Sequence, residues 1–152
     1  MSKNTKYLAL FKENTDLLLL SKETLSLSFI KCKKIGLKAE YTFEESESFD
    51  SLSSKFARTA DIFTQKVLKT FFIIVGENPE TFIDKANYAE KLHLIPSAEM
   101  LKNIRFLRND IAHEYIPQNL IQLYEDGLSY TYEVRLILGH FEIEYPSLIT
   151  RI

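Results

Sequence analysis

The segment Leu101-Lys102-Asn103-Ile104-Arg105-Phe106-Leu107-Arg108-Asn109-Asp110-Ile111-Ala112-His113-Glu114-Tyr115 reads as one helix bearing an arginine, a histidine and a tyrosine in the spacing R-x4-H-x-Y. At roughly 100° per residue, Leu101, Ile104, Leu107 and Ile111 fall within an arc of about 120° and form a core stripe. Lys102, Asn109, His113 and Phe106 cluster nearly opposite, while Arg108 and Tyr115, seven apart, border the stripe. His113 is therefore a poor candidate for a core histidine. Phe106 beside it places an apolar ring where a lone subunit would expose it, which points to a partner surface. The alternative is an ordinary surface helix with one stray aromatic.

Outward from this segment, the chain reads as a bundle that holds it. Pro96 begins the motif helix with Ser97 as a cap, and Pro117 bounds it, so helical geometry is expected to end near Ile116. His113 and Tyr115 then lie in the last turn, where a protonated histidine is favoured. Lys6 to Ile35 reads as one long helix or two abutting ones, with Leu8, Phe11, Thr15, Leu18, Leu25, Phe29 and Cys32 on one face. Ser21, Glu23 and Thr24 offer a break, the run Leu17–Leu20 suggests burial on more than one side, and Gly36 is a stop.

A second helix is expected from about Glu47 to Val75. Leu52, Phe56, Thr59, Phe63, Val67, Thr70 and Ile74 recur at steps of four and three, the clearest amphipathic pattern in the chain. Glu44, Glu45 and Glu47 mark its acidic start. Arg58 and Asp61, three apart and turned from the stripe, read as a solvated or mutually paired couple. Gly76 ends the helix. Asn78 and Pro79 open a short third one that docks through Phe82, Ala86 and Ala89, with His93 capping or packing at its end. The closing helix runs from about Asn119 to Phe141, its buried arc made by Leu120, Leu123, Tyr124, Thr131, Val134, Leu138 and Phe141. Gly127 inside it suggests a close helix crossing, Tyr130 and Tyr132 lie on different sides, and His140 reads as a terminal residue. Pro146 and the residues after it are expected to be irregular. The expectation is thus an all-α, up-and-down bundle of four to five helices over 1–145, with a tail over 146–152.

Composition agrees. Four glycines and four prolines in 152 residues favour helices over a turn-rich β fold, and 45% apolar with 26% charged residues suits a folded domain. A formal charge of −2 excludes strong, fold-wide attraction to nucleic acid but leaves room for a local site. Lys102, Arg105 and Arg108 against Asp110 alone make such an island, which Lys91 and Lys66 or Lys69 can extend if the fold brings them near. A sole cysteine, Cys32, excludes an intrachain disulfide and fits a reducing cytoplasm. No apolar run is long enough to span a bilayer.

Chemistry follows from the residue types. RNA carries its own nucleophile, the 2′-hydroxyl; cleavage needs a base, an acid for the leaving 5′-oxygen and positive charge at the phosphorane. His113 titrates in the range for proton transfer, and Arg108 can grip two phosphate oxygens. Asn109 can donate a hydrogen bond or orient the ring, and Tyr115 can contact phosphate or stack on a base. Lys102 and Arg105 add substrate-binding charge. Two copies meeting across a twofold axis through Phe106, Asn109 and His113 would supply a second proton shuttle. Histidines twenty or more residues apart argue against zinc, and no phosphate loop or dinucleotide fingerprint is present, so no cofactor and no metal are expected. Asp110 and Glu114 read as solvated charges rather than an ion site.

The octet Arg108–Tyr115 resembles the signature of the HEPN superfamily, an arginine and a histidine separated by four to six residues. Its R-N-x3-H-x-Y form is most similar to the HepT-like branch, partners of minimal nucleotidyltransferases. The layout of helices over about residues 5–142 matches that family's bundle. The resemblance implies a homodimer whose paired motifs act as a metal-independent endoribonuclease, often a toxin, with Arg108 and His113 catalytic and Asn109 supporting them. It also implies that Tyr115 is the tyrosine a nucleotidyltransferase antitoxin adenylylates. The alternative within the same resemblance is a non-catalytic substrate-binding or partner subunit of a nucleotidyltransferase. A plain helical bundle with an incidental motif is the third reading.

Overall fold

The computed structural model describes the backbone of residues 3–113 and 120–152, and the side chains of residues 5–112 and 120–152. Five helical rods form an all-α bundle, and no strand occurs among the described residues. They are α1 (Lys3–Ile35), α2 (Phe43–Asp61) running through a π-helical turn (Ile62–Val67) into α3 (Leu68–Val75), α4 (Phe82–Lys91), α5 (Ala98–His113) and α6 (Leu120–Arg151).

Side-chain contacts fix the direction of each rod. Cys32 Sγ donates to the Ser48 carbonyl at 3.3 Å, Ser21 and Thr59 share a 2.6 Å hydroxyl hydrogen bond, and Asn14 donates to Thr70 Oγ1 at 3.0 Å. As the first number falls the second rises, so the α2–α3 rod runs antiparallel to α1. Lys22–Glu142 at 2.9 Å and the Phe11–Tyr145 ring pair at 5.7 Å make α6 antiparallel to α1 as well. The stacked pair Phe49–Tyr124 (4.6 Å) and the edge-on pair Phe63–Phe141 (5.5 Å) then place α6 parallel to α2. His140 meets the His93 carbonyl just before α5, and Leu101 further on lies near Val134 and Leu138, so α5 runs against α6 and therefore against α2. The four long rods alternate up and down.

The core is the stripe each amphipathic pattern calls for. Phe11, Leu18, Leu25, Leu52, Phe56, Val67, Leu68, Leu101, Leu107 and Phe141 are all buried. A cluster of this kind, with apolar area removed from water at about 25 cal/mol per Å², is what holds the helices together. The α2–α3 stripe keeps its phase through the π turn: Leu52, Phe56, Thr59, Phe63, Val67 and Thr70 are buried and Ile74 half-buried. Phe71 and Phe72 are core residues.

Local signals set the ends. Thr42 caps α2 in a capping box: its hydroxyl accepts from the Glu45 amide (3.1 Å) and the Glu45 carboxylate accepts from the Thr42 amide (2.9 Å). The helix thus starts four residues before the expected Glu47, with Glu44 and Glu45 in its first turn. Gly76, at φ 77°, ends α3, its amide donating to Ile73 and that of Glu77 to Phe72. His93 does the same for α4 at φ 63°: its own amide bonds Glu90 and the Leu94 amide bonds Ala89. The expected capping role of His93 is therefore met by its backbone. Ser97 Oγ accepts from the Met100 amide at 3.3 Å, the expected cap of α5.

Several expectations are corrected. α1 is the one long helix of the two expected forms, without the break that Ser21, Glu23 and Thr24 offered, and the Ser21 hydroxyl bonds Thr59 across the interface. Leu17–Leu20 is not buried on more than one side: Leu18 is in the core, whereas Leu17 and Leu20 are exposed. α4 starts at Phe82, capped by Thr81, rather than at Asn78. Gly127 marks no close crossing, since a Cβ there would meet only Leu52 Cδ2 at 3.8 Å, an ordinary contact. His140 is not terminal; it sits within α6 with its ring nitrogen 2.9 Å from the His93 carbonyl oxygen. Residues 146–151 are no irregular tail but the last turns of α6, which continues through Pro146 because Leu148 is buried and Tyr145 packs against Phe11 and Phe141. The expected helix end near Ile116, the α6 start at Asn119, and the positions of Glu114, Tyr115 and Pro117 lie outside the described residues. Among the described residues no helix is long and apolar enough to cross a membrane.

Candidate functional site

α5 carries its apolar stripe inward as its spacing dictates: Leu101, Ile104 and Leu107 are buried and Ile111 is half-buried. The opposite face is open. Phe106 is 68% exposed, and Asn109, Asp110 and Arg105 are exposed with it. Lys102 is half-buried. Arg108 lies between the two faces, and the long rod beside it determines what it does.

Asp61 closes α2 at the point where the helix passes into the π turn. Its carboxylate accepts two hydrogen bonds from Arg108, from Nε at 2.8 Å and from Nη2 at 2.9 Å, with both side chains about 33% exposed. This is the two-point geometry in which guanidinium and carboxylate match best. It raises the Arg108 pKa further, chiefly through the hydrogen bonds to Asp61, so the cation is permanent. A guanidinium has five N–H donors, and the pair engages one on Nε and one on Nη2. The Asp61 contact therefore does not exhaust the group's capacity to bind a second anion. Of the two expected readings of Arg58 and Asp61, the mutual pair does not form: Arg58 is exposed to solvent, and Asp61 is taken by Arg108.

A cleft of about 370 Å³ opens beside this pair, between the π turn, α4 and α5. Asp61, Thr64, Gln65, Lys85, Arg108 and Asn109 contribute its polar lining. Arg105 lays its guanidinium carbon 4.3 Å from the centre of the Phe82 ring at the same cleft. Thr64 and Gln65 of the wall belong to the π turn, a wide turn set into an otherwise regular rod, of a kind that recurs at functional sites. Thr64 returns its hydroxyl to the Ala60 carbonyl at 2.9 Å.

Of the sequence-derived site residues, Arg108, Asn109 and Arg105 share this cleft, whereas Lys102 and Phe106 do not line it. His113 is the last described residue of α5; its side chain and all of Tyr115 lie outside the described residues. The basic island is extended by Lys85 rather than by the lysines named from sequence. Lys66 and Lys69 line a different groove with Tyr7, Leu10 and Asn14, and Lys91 lies 6.0 Å over the Tyr88 ring. Asp61, Lys85 and the Phe82 face were missed as site residues. No local signal marks them, because each acquires its role from a segment distant in the chain. No cluster of three or more metal-ligating side chains occurs among the described residues.

Comparison with protein-family models, with curated proteins and with solved structures gives no match in any of the three.

Proposed function

We propose that the chain is a metal-independent endoribonuclease that works as a homodimer, its two R-x4-H-x-Y segments forming one cleft. Arg108 binds the scissile phosphate and stabilises the phosphorane, His113 transfers protons, and Asn109 supports them. Lys102 and Arg105 add substrate-binding charge beside the scissile phosphate, and exposed Phe106 joins Asn109 and His113 in the dimer contact. In this reading the protein is the toxin of a pair, silenced by a nucleotidyltransferase that adenylylates Tyr115.

The observation that carries the proposal is the Arg108–Asp61 pair at the edge of an open polar cleft. A permanently charged guanidinium is fixed by one edge and keeps donors beyond those that Asp61 takes, an arrangement suited to a phosphate. The purified protein is expected to cut single-stranded RNA in EDTA, and His113→Ala to abolish the cutting. An inactive wild-type dimer overturns the nuclease assignment.

One observation favours a second reading. The Asp61 carboxylate offsets the charge of Arg108, which weakens its stabilisation of a phosphorane and favours a non-catalytic binding subunit of a nucleotidyltransferase. That reading predicts a stable complex with such a partner and no cleavage.

A further inference from the structure

The cleft beside Arg108 has more than the motif requires. Lys85, on α4 rather than on the motif helix, reaches the same space as Arg105 and Arg108. Among the described residues three cations line it against one carboxylate, that of Asp61, which is committed to Arg108. Neither Lys85 nor Arg105 has an ion-pair partner among the described residues. The Arg105 guanidinium carbon lies 4.3 Å from the centre of the Phe82 ring, and Arg105 is exposed. Thr64, Gln65 and Asn109 add short-range donors and acceptors along the walls.

A planar cation over an aromatic ring is a surface on which a nucleobase stacks, and an unpaired lysine nearby suits the attached phosphate. A volume of about 370 Å³ lies within the range of sites for small planar ligands. We infer that this cleft is a nucleotide subsite of single-stranded RNA: the base adjoining the scissile phosphate stacks on the Arg105–Phe82 pair, and Lys85 holds the next phosphate. The assignment rests on the ribonuclease reading for which phosphate is scissile, and on the cleft alone for the ligand class. Lys85 and Phe82 belong to α4, so that short helix becomes part of the binding surface.

The test separates binding from cleavage. A fluorescein-labelled 2′-O-methyl octauridylate lacks the internal nucleophile, and its anisotropy reports binding whether or not the protein is an enzyme. Lys85→Gln is expected to weaken binding several-fold and to flatten the log–log salt dependence by about 0.7, the loss of one single-strand phosphate contact. Arg105→Gln is expected to weaken binding about fivefold or more with less change in that slope, because stacking is lost together with charge. Lys69→Gln, which lies in a different groove, should bind as wild type does. The subsite is refuted if the octauridylate fails to bind, if both cleft variants bind unchanged, or if Lys69→Gln loses as much as Lys85→Gln. Binding through Lys85 with no cutting of unmodified RNA supports the subsite and removes the nuclease. Cutting that is indifferent to Lys85 and Arg105 does the reverse.

Discussion

Arg108 and Asp61, 47 residues apart in sequence, meet edge to edge through two hydrogen bonds of 2.8 and 2.9 Å. The pair ties α5 to the α2 rod at the last residue before its π turn, and it fixes the plane of the guanidinium that borders the cleft.

Asp61→Asn keeps the size of the side chain but offers one acceptor oxygen and no charge. Stability should fall by no more than about 1 kcal/mol, since a pair that is one-third exposed is well screened. RNA cleavage should fall much further, about tenfold or more, because a misplaced phosphate-binding group loses its alignment. Urea midpoints beside initial cleavage rates check this; equal, small losses in both would reduce Asp61 to a structural tie.

Arg108→Lys retains the charge and removes the fork. A lysine cannot hold Asp61 at two points while presenting further donors to a phosphate. Cleavage is expected to drop about 100-fold with the helical circular dichroism unchanged. Wild-type rates in this variant would mean that a point charge suffices.

Cys32 is wholly buried and donates to the Ser48 carbonyl, and burial pushes its thiol up from 9.0 to about 11. The unfolded thiol ionises first as pH rises, so unfolding then releases a proton. Stability from this group is intact below pH 9 and is lost between 9 and about 11, a fall of up to about 3 kcal/mol. Denaturant titrations of wild type and Cys32→Ala across that window should converge at the alkaline end. A thiol reagent should modify Cys32 only at the rate of unfolding.

Gly127 is a buried glycine inside α6, and the nearest atom to an added Cβ is Leu52 Cδ2 at 3.8 Å. Gly127→Ala should therefore stabilise the fold by about 0.5–1 kcal/mol through the entropy of the unfolded chain. A lowered melting temperature would show that the helix interface is tighter than that spacing implies.

Leu148 is buried to 1% exposure in the last turns of α6. Leu148→Ala should cost about 2–5 kcal/mol, the range for emptying a core leucine site. A change within a few tenths of that of a surface substitution would return residues 146–152 to the status of a tail.

What could be read from the sequence was whatever depends on neighbours three or four residues away. The recurrence of Leu52, Phe56, Thr59, Phe63, Val67 and Thr70 identified a buried helical face, and those residues are buried. The same spacing turned Leu101, Ile104 and Leu107 inward and left Phe106 and Asn109 outside, and Gly76 and Ser97 marked helix ends by their own backbone and hydroxyl chemistry. Where local rules misled, a tertiary contact had overridden them. The packing of Leu148 and Tyr145 carried α6 past a proline.

The site divides along the same line. Helical spacing put Arg108, Asn109 and Arg105 near one another on α5, because a helix face is a property of a short segment. The identity of Arg108's partner is different in kind. Arg58 is three residues from Asp61 and was the local choice, yet the antiparallel packing of α5 on α2 brings Arg108 to Asp61 instead. Lys85 and Phe82 join the cleft because α4 packs alongside α5. Charge pairing between helices depends on register, and register is set by how large side chains interdigitate throughout the core, which no single stretch of the chain contains.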